Sequence, residues 1–168
     1  MRLFSPCRKF ARIFRKGIVI KEIDADDPQK VQEWFYQLGK NPRGFTGARV
    51  TTFVAQKEEN ILGHATLVRN LEERHPLRGY WLCSLAVAEP FQGMGIGEGL
   101  TRKVIARAEE EGAKELLLTV YEDQEPAIRL YRKLGFQIKR DSALEDDLEQ
   151  ERAYLGSKKV LMSKPLGF

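Results

Sequence analysis

The chain reads as a single mixed α+β domain, a central mixed sheet with helices on both of its faces. Three observations lead there. Its 168 residues suit one compact domain and are too few for two ordinary ones. Hydrophobic residues at 42% and charged residues at 31% belong to a chain that buries a core, which excludes intrinsic disorder and collagen-like repetition. Short β-branched or apolar runs alternate with segments of helical period in the order β-α-β-β-β-α-β-α-β-β.

Ile18-Val19-Ile20-Lys21-Glu22-Ile23 is a β-branched run and is expected as the first strand. Asp24 offers a helix cap, and Pro28 suits a first helical turn, where its missing N–H has no partner to lose. Val31, Trp34, Phe35 and Leu38 fall at i, i+3, i+4 and i+7, one buried helix face that Gly39 ends. Residues 40–47 (KNPRGFTG) are turn-rich and read as a loop. The runs 49–56 and 61–68 flank Lys57-Glu58-Glu59-Asn60, a hairpin with a polar four-residue connection. Residues 80–87 form a continuous apolar run suited to a sheet centre. A helix follows over about 98–111, with Leu100, Val104, Ile105 and Ala108 inward and Gly112 as its C-cap. Residues 116–120 are another buried strand. Pro126 opens a helix with Ala127, Leu130, Tyr131 and Leu134 inward, and Gly135 closes it. Runs 136–140 and 158–163 complete the sheet, separated by an acidic segment.

The net charge of +4 is unevenly spread. Residues 1–16 carry Arg2, Arg8, Lys9, Arg12, Arg15 and Lys16 and no acid, a local +6, leaving 22 basic and 24 acidic residues for the rest, a net −2. The basic charge thus belongs to an arm over 1–16, ahead of one domain over 17–168, and no specific nucleic-acid partner is expected. The arm lacks the apolar stretch of about 7–15 residues that a secretory signal needs. With Phe4, Phe10 and Phe14 it also suits a transit peptide or a membrane-surface helix. The plainer reading, a solvated arm leading into the first strand, is adopted. No run approaches the about 20 apolar residues that cross a bilayer. Cys7 and Cys83 make neither a disulfide framework nor a zinc cluster, so a reducing, cytoplasmic compartment and no metal are expected.

The segment with most chemical content is Gln92-Gly93-Met94-Gly95-Ile96-Gly97-Glu98-Gly99, between an expected strand and an expected helix. Glycines at a helix start let an anion approach free backbone N–H groups, so phosphate is the natural guest. A Walker A loop needs Gly-Lys-Ser/Thr, but Gly97 and Gly99 precede Glu98 and Leu100. The fingerprint G-x-G-x-x-G fails at Glu98 when started from Gly93 and at Leu100 when started from Gly95. A tight turn that needs glycine for geometry alone would also produce such a run. The pattern that fits is Q/R-x-x-G-x-G/A, met by Gln92, Gly95 and Gly97 straight after Leu85-Ala86-Val87. On residues 85–100 (LAVAEPFQGMGIGEGL) the chain resembles the GCN5-related N-acetyltransferase (GNAT) superfamily. Residues 124–136 (QEPAIRLYRKLGF) match its N-x-x-A-x-x-L-Y-x-x-x-G-F segment, and the element order agrees from about 18 to 163.

The resemblance implies the GNAT fold, with acetyl-CoA as co-substrate and direct attack by a primary amine. Backbone amides of Gln92, Gly93, Met94, Gly95, Ile96 and Gly97 would then hold the pyrophosphate. Backbone groups of Leu85, Ala86 and Val87 would bind pantetheine as an added strand, which requires that strand to splay from its neighbour. The Val87 N–H would face the thioester carbonyl. Gln124 stands where many members carry Asn, one methylene longer but able to reach a cofactor amide. Tyr131, at the family's tyrosine position, would protonate the leaving thiolate, a phenol of about 10 set against a thiol of about 8.5. An apolar helix face alone favours a core role for it; the match of Leu130-Tyr131 and Gly135-Phe136 favours the acid. Where other members place a Glu base this chain has Trp81 and Thr119, so no base is carried over. Tyr80, Ser84 and His75 are candidates for a water relay, and His64, alternating within a strand, reads as structural. The rival reading is a non-catalytic CoA-binding or sensing module of the same fold.

In the family the amine acceptor lies between the first helical region and the loop joining the last two strands. Here that loop is 141–152 (DSALEDDLEQER), with Asp141, Glu145, Asp146, Asp147, Glu149 and Glu151 against Arg152. Such acids suit a solvated face, and they also suit attraction of a cationic amine. Dimers are frequent in the family, so a homodimer is a further expectation.

Overall fold

The computed structural model describes residues 16–24, 49–73, 77–142, 144–146, 148–149, 156 and 158–167. The basic arm, the helix expected near 28–38, the loop 40–47 and His75 lie outside the described residues. Among the described residues these strands and longer helices follow one another: β1 (Ile18–Asp24), β2 (Arg49–Lys57), β3 (Asn60–Asn70), β4 (Gly79–Val87), α1 (Ile96–Glu110), β5 (Glu115–Tyr121), α2 (Glu125–Lys133), β6 (Gln137–Ile138) and β7 (Lys159–Pro165). They form one mixed sheet in the order β1-β2-β3-β4-β5-β7-β6. All neighbours run antiparallel except β4 and β5, whose parallel direction follows from the crossover through α1. The mixed α+β sheet expected from the element order is therefore present.

The period-2 alternation of the strands splits the sheet into two faces. One, the helix face, carries Phe53, Ala55, Ala65, Leu67, Leu82, Leu116, Leu118 and Met162. Against it pack Leu100, Val104, Ile105 and Ala108 of α1 and Tyr131 of α2, with Leu134 and Phe136 beyond α2. These are the inward residues that the 3.6-residue period marks. The opposite face carries Val68, Trp81, Leu117 and Leu161, covered in part by Leu144 and Leu148. At the far end of α1 a polar clip ties it to β3: the buried Arg69 donates to both carboxylate oxygens of Glu111 and to Thr51 Oγ1 at 2.8 Å.

The hairpin is tighter than expected. Lys57 pairs with Asn60, so only Glu58 and Glu59 make the turn, with Glu58 at φ +55°. No Asn-Gly or Asp-Gly marks it, so its residues gave no sign of a two-residue turn. β6 pairs over only two residues, and β7 runs on to Pro165. The start of the acidic segment folds into a helical turn, with Leu144 N and Glu145 N donating to the Asp141 carbonyl. Its apolar residues Leu144 and Leu148 turn to the sheet and leave Glu145, Asp146 and Glu149 exposed.

Candidate functional site

β4 and β5 hydrogen-bond only where Tyr80 meets Leu116 and Trp81 meets Leu117. Beyond that point they part: β4 stays on β3 as far as Val87 opposite Gly63, and β5 stays on β7 as far as Tyr121 opposite Lys159. A wedge therefore opens in the middle of the sheet. Cys83 through Val87 are only half-buried, although they belong to a central strand. Two features steer β4 away from β5. Between His64 and Thr66 the register slips, so Ser84 and Leu85 stand opposite Ala65, a bulge with Ser84 at φ +52°. And β3 closes tightly on the strand end at Gly63, where a Cβ would lie 2.7 Å from the Ala86 carbonyl oxygen.

The hydrogen bonding fixes which way the end of β4 points. Ala88 N donates to the Leu62 carbonyl at 2.9 Å, which makes Val87 and Gly63 a non-hydrogen-bonded pair. The N–H and C=O of Val87 are thus directed away from β3, into the wedge. The carbonyl takes a bond from Gln92 Nε2 at 3.0 Å, tying the strand end to the loop after it. The Val87 N–H faces the opening, as a pantetheine arm lying along β4 would require.

The loop leads directly into α1. Gly93 and Gly95 hold φ +74° and +82°, a left-handed region costly for other residues, and Gly95 is the N-cap with no side-chain cap. Met94 and Ile96 bury their side chains and anchor the loop from within. The first amides of α1 have no partner within their own helix, the arrangement that favours an anion. Beside them Glu98 is bridged by Lys133 Nζ at 2.6 Å and Arg102 Nη2 at 2.9 Å, and these partners hold its carboxyl below the usual range. Lys133 thereby ties the end of α2 to the start of α1.

Tyr131 lies on the helix face, 7% exposed, edge-on to Phe136 with ring centroids 5.7 Å apart. Burial, and then the charge of Cys83, push its phenol up to about 12. Cys83 is on the opposite face of β4, and burial pushes its thiol up to about 11. Spacing alone did not bring this thiol to the site. Gln124 caps α2 through its backbone, its carbonyl accepting from Ile128 N at 3.0 Å, and its side chain is exposed. Trp81 is buried and Thr119 is exposed, neither able to act as a base. Gly63 does have a signal in the sequence, since a glycine inside a strand marks close backbone approach.

A cleft of about 510 Å³ lies between β6, β7 and the acidic segment. Asp141, Glu145, Asp146 and Glu149 line it, but so do Lys139, Arg140, Lys158 and Lys159. Asp147, Glu151 and Arg152 lie outside the described residues. Among the described residues the cleft is therefore balanced in charge rather than acidic. No helix among the described residues is long and apolar enough to cross a membrane.

The model of the Acetyltransferase (GNAT) family matches residues 13–136. A mycothiol acetyltransferase of Paenarthrobacter aurescens is 32% identical over 111 residues, which are 66% of this chain and 31% of that protein. The chain thus spans about a third of the length of that relative. An IAA acetyltransferase from Bacillus cereus superposes with TM-score 0.63 at 21% identity, covering 89% of this chain and 99% of that one. A GNAT family acetyltransferase from Elizabethkingia anophelis with acetyl-CoA bound gives TM-score 0.58 at 20% identity, covering 90% and 100%.

Proposed function

The chain belongs to the GNAT acetyltransferase family, and from that premise we propose that it moves the acetyl group of acetyl-CoA to a primary amine. The observation that carries this reading is the wedge between β4 and β5, with the Val87 N–H directed into it and the loop of Gly93 and Gly95 at its mouth. Acetyl-CoA supplies an activated thioester. The loop amides from Gln92 to Gly97 hold its pyrophosphate, and β4 from Leu85 to Val87 aligns the pantetheine arm, with Gln124 at the entrance to α2. The Val87 N–H stabilises the developing oxyanion, a fixed dipole that need not reorganise. Tyr131 gives its proton to the departing sulfur.

The raised phenol does not weaken that role as much as it first suggests. In water a phenol of about 10 faces a thiol of about 8.5. Beside the wedge, the Cys83 thiol at about 11 shows what the same burial does to a sulfur, and Tyr131 stands at about 12. Burial therefore raises a phenol and a thiol together, and the order that holds in water, phenol above thiol, is kept. The acceptor is a primary amine arriving from the side not covered by α1 and α2, in a cytoplasmic, reducing compartment. The balanced cleft gives no preference for a polycation.

Acetyl-CoA is offered with a panel of primary amines and free thiol is followed. Tyr131→Phe is expected to lower kcat by about 10²- to 10⁴-fold while acetyl-CoA affinity stays close to wild type. Lost affinity with unchanged turnover would refute the acid role, and CoA binding without turnover for any amine would favour the non-catalytic module.

A further inference from the structure

The cleft between β6, β7 and the acidic segment has no part in the acetyl transfer derived above. Its described lining holds no residue of β4, α1 or the glycine loop. At about 510 Å³ it falls within the range of about 300–1,000 Å³ that small-ligand sites occupy. Backbone bonds pin its strand wall: Lys139 N donates to the Leu161 carbonyl at 3.0 Å, and Glu122 N to the Lys158 carbonyl at 2.9 Å. The charges in it balance without cancelling. Lys139 Nζ is 2.7 Å from Glu115 Oε2, and Lys159 lies over the Tyr121 ring. Arg140 and Lys158 of the strand wall, and Glu145 and Asp146 of the helical turn, make no ion pair among the described residues. Opposite charges lining one cleft thus stand farther apart than an ion pair allows. Exposed as they are, closing that gap on each other would gain them little. The same lining includes apolar side chains: Leu144 and Leu161, which are buried, and Ile138, which is 54% exposed.

We infer that this cleft binds a zwitterion, a free amino acid or short peptide with an apolar side chain. Its carboxylate meets Arg140 and Lys158, its ammonium meets Glu145 and Asp146, and its hydrocarbon covers Ile138. A guanidinium offers paired N–H donors that match the two oxygens of a carboxylate, and the lysine adds a second positive charge. A polycation would meet Arg140 and Lys158 as like charges, and a polyanion would meet Glu145 and Asp146 in the same way. Only a molecule carrying both signs satisfies both walls. The site is separate from the reaction centre. An ammonium held by a carboxylate keeps its proton and has no lone pair with which to attack a thioester. The inference goes beyond the acetyltransferase reading and does not rest on it.

Titration calorimetry on the full chain tests this with leucine and leucylleucine as probes, and with N-acetyl-leucylleucine and leucylleucine amide as the blocked forms. Leucylleucine is expected to bind one per chain, and either block to weaken binding by about tenfold or more. Arg140→Gln combined with Lys158→Gln should weaken leucylleucine by about tenfold, yet bind the amide, which has no carboxylate, as wild type does. Glu145→Gln combined with Asp146→Asn should likewise weaken leucylleucine and leave the N-acetyl form unchanged. All four side chains are exposed, so these variants should keep the wild-type Tm. A general loss of folding would not produce that crossed pattern. No binding of either probe up to about 10 mM overturns the site, as does affinity indifferent to both blocks or to both pairs of substitutions. Acetylation of leucylleucine with a KM raised by these substitutions would overturn its separation from the reaction centre. The substitutions leave the wedge untouched, so failure here leaves the acetyltransferase reading standing. Absence of turnover with any amine removes that reading alone.

Discussion

Replacing Gly63 by alanine tests whether β3 holds the cofactor strand in place. The added Cβ would lie 2.7 Å from the Ala86 carbonyl oxygen and 3.2 Å from both Cα and Cγ2 of Val87. A relaxed carbon–oxygen contact is about 3.3 Å or more, so β4 must move by about 0.6 Å, and the free side is the wedge. Overpacking of this kind costs about 1–3 kcal/mol, against about 0.4–1 kcal/mol gained because alanine restricts the unfolded chain. The clash wins. A net loss of about 1–2 kcal/mol lowers Tm by about 2–8 °C in a domain of this size. The displaced amide is Val87, and a misplacement of about 1 Å can cost about 10²-fold, so kcat/KM should fall by about tenfold. Gly97→Ala is the control. Its Cβ would meet Leu130 Cδ2 at 3.6 Å and Val87 Cγ2 at 3.7 Å, ordinary contacts, and a glycine inside a helix costs about 0.5–1 kcal/mol relative to alanine. That variant should be as stable as wild type or more so. A Gly63→Ala protein with wild-type Tm and wild-type kcat/KM would show that the close approach does not set the wedge.

Two further outcomes concern stability. Glu111→Ala strands the Arg69 guanidinium, whose side chain is 3% exposed, with Thr51 as its remaining partner, and urea unfolding should show a loss of about 3–5 kcal/mol. Because Arg69 holds the Glu111 carboxyl below its usual range, the stability it adds is present above about pH 4.5 and is lost as pH falls through the lowered value. Glu111→Gln should therefore lose less stability than wild type on acidification below pH 4.5, and parallel curves would contradict the assignment. At the other end of the scale, Cys83 moves from 9.0 to about 11 on folding, so its contribution is complete below pH 9 and disappears as pH rises toward 11. Between pH 8 and 10.5 wild type should lose about 2 kcal/mol more than Cys83→Ala, and equal losses would mean that the thiol is not buried in solution.

What could be read from the residues is what depends on local period and local chemistry. The inward faces of α1 and α2 were legible because Leu100, Val104, Ile105 and Ala108, and likewise Leu130, Tyr131 and Leu134, recur at helical spacing. The loop was legible because Gly93 and Gly95 must take a left-handed backbone that few other residues accept. The wedge was expected only through the family resemblance, since it depends on which strands end up parallel and where their pairing stops. The bulge at Ser84 had no sign at all, because serine carries no preference for it and the slip is defined only against β3. Gly63 shows the difference well: the residue is visible, but the backbone oxygen it makes room for comes from a strand more than 20 positions later. The charge around the acidic loop was legible only in part. Its acids are plain in the sequence, while Lys139, Arg140, Lys158 and Lys159 reach the same cleft from strands on either side.

The division of the sheet into two faces leaves the end of β4 accessible along one edge. Tyr131 approaches β4 from the helix face, and Cys83 lies on the opposite face of that strand. The reacting carbonyl would sit at the edge of that strand, within reach of both faces and of the Val87 N–H. A normal β-strand in the middle of a sheet could not offer this, because its amides are all taken by its neighbours. Parting β4 from β5 beyond Trp81 frees one edge, and the bulge at Ser84 with the close approach at Gly63 keeps that edge open without loosening β3. The site is therefore a property of strand pairing first and of side chains second, which is why so few of its residues need to be chemically unusual.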